Sequence, residues 1–168
     1  SVTDVDIMAI RFPGNVYVSD PHEGVEARML AIVDPALLLQ PDETDLIIGE
    51  VKQGSAHFNP GLRRHLVLHS LLRRVEWLFA DDLNRIVDDL GTRNSCMVPG
   101  RNGGMIRVRL VAFGRSDHND LHTLSHGHIV TTMLGFLSGL DDAFRPIRFG
   151  DPAPAMLSLL LKAGFDVK

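Results

Sequence analysis

Thr44-Asp45-Leu46-Ile47-Ile48-Gly49-Glu50-Val51-Lys52-Gln53-Gly54 decides how the rest of the chain is read. An apolar run leads into Glu-Val-Lys and stops at glycine. In a strand successive side chains alternate faces, so Glu50 and Lys52 point one way and Ile47 and Val51 the other, towards a core. A carboxylate and an ammonium side by side at the end of an apolar strand are costly to bury unless something uses them. One use is to hold a hard divalent cation with the carboxylate and to position or activate a water with the ammonium. The plainer reading is a salt bridge on an edge strand.

Outward towards the N-terminus, residues 2–12 (Val-Thr-Asp-Val-Asp-Ile-Met-Ala-Ile-Arg-Phe) read as a second strand. Asp4, Asp6, Met8 and Ile10 share a face, and Pro13-Gly14-Asn15 ends the run. Residues 13–44 read as an elaborated connection in which Val25–Val33 is a further strand, broken by Asp34-Pro35.

Towards the C-terminus, His57-Phe58-Asn59-Pro60-Gly61 is a turn. The spacing predicts a helix over Leu62–Phe79, with Leu66, Leu71, Leu72, Val75 and Leu78 as its apolar stripe and Trp77 in the core. Arg63, Arg64, Arg73 and Arg74 lie along it as candidate phosphate contacts, or simply as a solvated face. A second helix is expected over Ala80–Leu90, with Asp81 or Asp82 at its start and Gly91 as its stop. Asn94–Gly104 reads as a polar loop and Ile106–Phe113 as a strand on which Arg107 and Arg109 share a face. Residues 114–127 form a histidine-rich loop. Ser125 caps a helix to about Leu140, and Pro152–Ala163 is a last helix. The two strands joined through helices are candidates for parallel pairing, which makes an α/β layer arrangement.

The bulk properties limit the classes. At 168 residues the chain fits one domain with a substantial core. A formal charge of −4 and a pI near 6.0 argue against a globally basic nucleic-acid binder, though a local basic patch is compatible with them. The lone cysteine, Cys96, excludes an internal disulfide. No apolar run approaches a membrane span, and the acidic opening is unlike a secretory leader. The expectation is a cytoplasmic protein without a membrane partner.

An aspartate on one strand, Glu-x-Lys on the next, then a helix and another strand resemble the PD-(D/E)xK superfamily, the restriction-endonuclease-like nucleases. The residues that carry the resemblance are Thr3–Pro13 and Leu46–Gly54. These strands also resemble bacterial proteins with an Asp-Val-Asp strand and a Glu-Val-Lys strand ending in glycine. The likeness extends over residues 3–114, leaving 115–168 as a helical extension of one nuclease-like domain.

The resemblance implies a mixed β-sheet flanked by helices and hydrolysis of a phosphodiester bond in DNA or RNA. It further implies that Asp6, Glu50 and the backbone carbonyl of Val51 hold Mg2+, or Mn2+. Lys52 would orient or activate the attacking water. Asp4 and Asp42, which follows Pro41 as the motif is spelled, are the other candidates for the first carboxylate. Asp45 has the wrong parity to share Glu50's face. Choosing Asp6 requires the first strand and the Glu-x-Lys strand to be neighbours. The family's fold ordinarily has a helix and a strand before the aspartate strand. The resemblance therefore implies that these lie outside this sequence, or that the first strand is used differently and Val25–Val33 takes the vacant sheet position. A homodimer would suit cutting of two strands.

Two other classes fit parts of the sequence. One is a binding module on the same fold, with Glu-x-Lys as a structural pair. The other is a zinc hydrolase built on His65 and His69 at i, i+4, or on His118, His122 and His126. Cys96 as a thiol nucleophile is weaker, and Gly100–Gly104 lacks the features of a phosphate-binding loop.

Overall fold

The computed structural model describes residues 5–14, 17–20, 25–29, 34–115 and 121–139. Its centre is strand β4 (Thr44–Val51), in which Leu46 and Ile48 are wholly buried on one face and Ile47 on the other. Burial on both faces explains why this run is almost continuously apolar. On one side β4 pairs antiparallel with β1 (Ile7–Arg11). On the other it pairs parallel with β6 (Met105–Gly114), as the sequence led us to expect. β5 (Ser95–Pro99) pairs antiparallel with the first half of β6, and β7 (Thr123–Ser125) pairs parallel with its end. The result is a five-stranded mixed sheet with the path β1-β4-β6-β5.

Helices α1 (His65–Leu72) and α2 (Leu83–Arg93) cover the face that carries Leu46, Ile48, Val108 and Leu110. α2 buries Leu83, Ile86, Val87 and Leu90, the i, i+3, i+4, i+7 stripe of an amphipathic helix. Asp82 caps it, accepting from the Asn84 N–H at 3.1 Å. The opposite face is a smaller cluster of Ile47, Val111, Phe113 and Leu124. It is joined by Ala36 and Leu37 of a 3₁₀ turn (Pro35–Leu37) and by Ile129 of helix α3 (His126–Gly139). Ser125 does cap α3, accepting from the His128 N–H at 3.0 Å.

Several expectations are corrected. Val25–Val33 contributes β3 (Val25–Met29), which pairs with β2 (Tyr17–Asp20) in a separate two-stranded sheet. It is therefore not a strand of the main sheet. The long helix over Leu62–Phe79 is α1 followed by a 3₁₀ segment, Arg73–Leu78, broken at Val75 (φ −123°, ψ 19°). With three residues per turn, Leu72, Val75 and Leu78 line one face and are buried, while Trp77 falls outside at 58% exposure. Leu66 is likewise not in the stripe, at 83% exposure; Leu68 takes the inward position.

Gly91 does not stop α2. The helix ends at Arg93, because Asn94 adopts the left-handed conformation (φ 62°) and its N–H reaches the Leu90 carbonyl at 3.0 Å. The supposed loop 94–104 contains β5, whose Val98 packs into the main core. Only Gly100–Gly104 is a turn, closed by the Gly100 N–H on the Gly104 carbonyl. The histidine-rich stretch includes β7; its residues 116–120 and the helix expected over Pro152–Ala163 lie outside the described residues.

Gly114, at the end of β6, packs against the segment that follows β4. A Cβ there would stand 2.5 Å from the Ala56 nitrogen and 2.7 Å from the Gly54 oxygen. Both are backbone atoms that cannot swing aside. Gly114→Ala is expected to cost about 1–3 kcal/mol and to displace residues 54–56. Chemical denaturation measures the first effect, and amide shifts of Gly54–Ala56 the second.

Candidate active site

The C-terminal end of β4 brings three of the expected residues together. Glu50 is buried at 6% exposure, on the helix-covered face with Leu46 and Ile48. The Lys52 ammonium lies on its Oε1. Lys52 follows the last residue of β4, but its N–H still donates to the Phe113 carbonyl at 2.8 Å. The parallel ladder therefore holds its side chain on Glu50's face.

Asp6 immediately precedes β1. The pairing of Ile7 with Gly49, continued by one residue, sets it opposite Glu50. Its Oδ2 accepts from the Val51 N–H at 2.7 Å, replacing the ladder bond that a longer β1 would have made. The N–H and C=O of one strand residue face the same edge of the strand, so the Val51 carbonyl looks towards the Asp6 side as well. Asp6, held on the Val51 N–H, thus stands at the position next to the Glu50–Lys52 pair beyond the carboxyl end of β4, where open α/β sheets commonly bind ligands.

The other aspartates are elsewhere. Asp42 lies in the turn before β4 begins, and the strand from Thr44 to Glu50, about 20 Å long, separates it from Glu50. Asp45 is on the opposite face, as its parity required. It accepts from Arg107 Nε at 2.8 Å and Arg109 Nε at 3.0 Å. Arg109 also donates to the carbonyls of Leu37 (2.6 Å) and Leu121 (3.3 Å), and Arg107 to that of Leu38 (2.7 Å). Burial pulls the Arg109 pKa below its ordinary value, while hydrogen bonding and charge from Asp45 oppose that shift. This cluster fastens the 3₁₀ turn to the sheet. Asp4 lies outside the described residues.

The turn after β4 has a part in the site that its sequence did not announce. The Asn59 N–H donates to Glu50 Oε2 at 2.5 Å. Asn59 is itself set by its side chain, which accepts from the Gly61 N–H at 2.9 Å, and by its carbonyl, which accepts from the Leu62 N–H at 2.9 Å. Buried Leu62 anchors the turn. Asn-Pro-Gly marks a turn in sequence, but nothing local shows that one of its N–H groups meets a carboxylate nine residues back.

The four arginines do not form one patch. Arg63 and Arg64 adjoin this turn, and the Arg63 guanidinium stands over the Phe58 ring, 5.1 Å from its centroid. Arg73 and Arg74 follow α1, about 13 Å further along the helix axis. Arg73 lines an open polar cleft of about 240 Å³ together with His69, Glu76, Asp81 and Asp82.

Among the described residues the histidines do not converge on a zinc set. The His65 and His69 rings stack with centroids 6.0 Å apart, and the nearest carboxylate contact, His65 Nε2 to Asp88, is 3.8 Å. His118 lies outside the described residues. Among the described residues no three His, Cys, Asp or Glu side chains form a metal-binding group. Any cation at the Asp6–Glu50 pair would therefore need main-chain oxygen and water to complete its shell.

Cys96 sits on β5, and burial, reinforced by the charge of Asp89, pushes its thiol up to about 11. This is the opposite of an activated nucleophile. With two pH units separating about 11 from the ordinary 9.0, iodoacetamide should alkylate folded Cys96 about 100-fold more slowly at pH 8 than the same thiol in denaturant. The thiol holds its proton more tightly in the fold than in the unfolded chain. Its contribution to stability is thus complete below pH 9.0 and is lost as the pH rises through about 11.

Comparison with protein-family models, with curated proteins and with solved structures gives no match. Among the described residues no helix is long and apolar enough to cross a membrane.

Proposed function

We propose that this chain is a metal-dependent phosphodiesterase acting on nucleic acid, with a restriction-endonuclease-like framework. What supports the reading is the placement of Asp6 on the Val51 N–H, one residue along β4 from the Glu50–Lys52 pair. Adjacency of β1 and β4, which the choice of Asp6 required, supports it.

The donors suit a hard cation. Asp6, Glu50 and the Val51 carbonyl offer only oxygen, and so few protein oxygens leave room for the several waters that magnesium keeps. Bound there, magnesium or manganese would supply positive charge to the phosphate oxygens and a polarised water. The remaining work falls to the chain. Lys52 holds an ammonium where it can orient that water and meet the negative charge that grows on the phosphoryl group. Asn59 fixes Glu50 through its N–H, so the carboxylate does not have to reorganise during the reaction.

A second reading has its own support. Both Glu50 oxygens are already engaged, one by Lys52 and one by Asn59, as in a structural ion pair that clamps residues 52–59. The domain would then bind without cutting. The deciding experiment is cleavage of labelled single- and double-stranded DNA and RNA with magnesium, manganese or chelator, by the wild type and by Lys52→Ala. Metal-dependent cutting lost in a folded variant supports the phosphodiesterase. Binding without cutting by the wild type supports the binding module.

A further inference from the structure

Among the described residues Arg63 is the one arginine whose guanidinium lies over an aromatic ring, that of Phe58, and it follows the turn whose Asn59 N–H reaches Glu50. Phe58, its support, is partly buried against the main core and directly precedes Asn59, whose N–H holds Glu50. The base of the guanidinium and the carboxylate of the site are thus fixed by consecutive residues of one hydrogen-bonded turn. A guanidinium held over a ring by a cation–π contact makes no hydrogen bond to that ring, so its N–H fork can still take a bidentate oxyanion. Among the described residues no carboxylate is paired with Arg63, whereas Arg85 and Arg93 are paired with Asp81 and Asp89. Arg73 has Glu76, Asp81 and Asp82 around the same cleft, which offset its charge.

We propose that Arg63, racked on Phe58, binds a phosphate of the nucleic-acid strand next to the phosphate at Asp6, Glu50 and Lys52. The inference rests on the phosphodiesterase reading and names the residue that sets the substrate's path across the site. The guanidinium is pre-oriented, so less side-chain freedom is lost when the strand binds. The path runs from Lys52 over the 57–63 turn, and not along α1 towards Arg73 and Arg74.

The test is binding of short labelled single-stranded and duplex DNA, followed by fluorescence anisotropy in chelator over a range of salt concentrations. Arg63→Ala is expected to weaken binding about 10-fold and to lower the magnitude of the salt slope by about one. Arg63→Lys should recover part of the affinity. Phe58→Leu, which keeps an apolar side chain in the core but removes the ring, should weaken binding less than Arg63→Ala. Arg73→Ala should leave affinity close to wild type.

Unchanged binding by Arg63→Ala, an equal loss in Arg73→Ala, or no binding by the wild type would overturn the proposal. Failure of the phosphodiesterase reading looks different. The wild type would bind in an Arg63-dependent way yet cut nothing with magnesium or manganese, and Arg63 would stand as part of a non-catalytic nucleic-acid site.

Discussion

Asp45→Ala is expected to lower stability by about 3–5 kcal/mol, the cost of leaving a buried charge without its partner. Arg109 is 1% exposed and Asp45 2% exposed, so water has little access to either. Removing the carboxylate leaves two guanidinium groups side by side. Arg109 would retain the Leu37 and Leu121 carbonyls, and Arg107 that of Leu38, but no counter-charge. The loss corresponds to a fall in melting temperature of about 6–20 °C for a chain of this size. Urea denaturation of the variant checks it. A change below about 1 kcal/mol would mean that the arginines find water, and that the cluster is less closed than its exposure indicates. Asp45→Asn keeps acceptor oxygen and should lose less.

The second large effect concerns chemistry. Lys52→Ala is expected to reduce metal-dependent cleavage by about 10²–10⁴-fold, the range for removing one positioned proton-transfer or charge-stabilising group. The substitution also takes the ammonium from Glu50, a buried carboxylate, so a stability loss of about 1–3 kcal/mol should accompany it. Activity must therefore be read on protein shown to be folded by circular dichroism. Lys52→Arg provides the control. It preserves the positive charge and should restore most of the stability. Its planar, always-protonated head does not reproduce a compact ammonium beside a water, so cleavage should remain low. If arginine restores cutting as well, charge alone is what the position supplies. If Lys52→Ala cuts as well as the wild type, Lys52 belongs to a structural pair and the proposed role is wrong.

The part of the fold legible in the sequence was the part whose pattern is purely local. The apolar run at 46–48 marked β4, and alternation along Ile106–Phe113 marked β6. Parity alone put Asp45 and Glu50 on opposite faces, as observed. Patterns that depend on a change of period were not legible. Val75 shifts α1 into a 3₁₀ turn and sends Trp77 to the surface, although the surrounding leucines keep a helix-like spacing. β5 was missed because five residues ending in proline and followed by glycine look like a loop until β6 lies beside them. Likewise, Glu-x-Lys and Asp6 were visible as candidates, but the Asn59 N–H and the Phe58–Arg63 stack depend on tertiary approach. A main-chain donor has no sequence signature, and a cation over a ring needs a turn of known shape.

Strand β1 is short, and among the described strands it is paired on one side only. Elements of this kind open in local fluctuations well below the free energy of global unfolding. Glu50 belongs to the opposite regime, since β4 is braced by β6 and largely buried on both faces, and Lys52 is tied to β6 by its N–H on the Phe113 carbonyl. Amide hydrogen exchange is thus expected to be slow in the β4 half of the candidate site and faster in the β1 half. Each time β1 peels away it takes Asp6 with it and leaves the Glu50–Lys52 pair intact. The fraction of molecules with all three residues in place is then governed by the free energy of opening a five-residue strand, a smaller quantity than the stability of the domain.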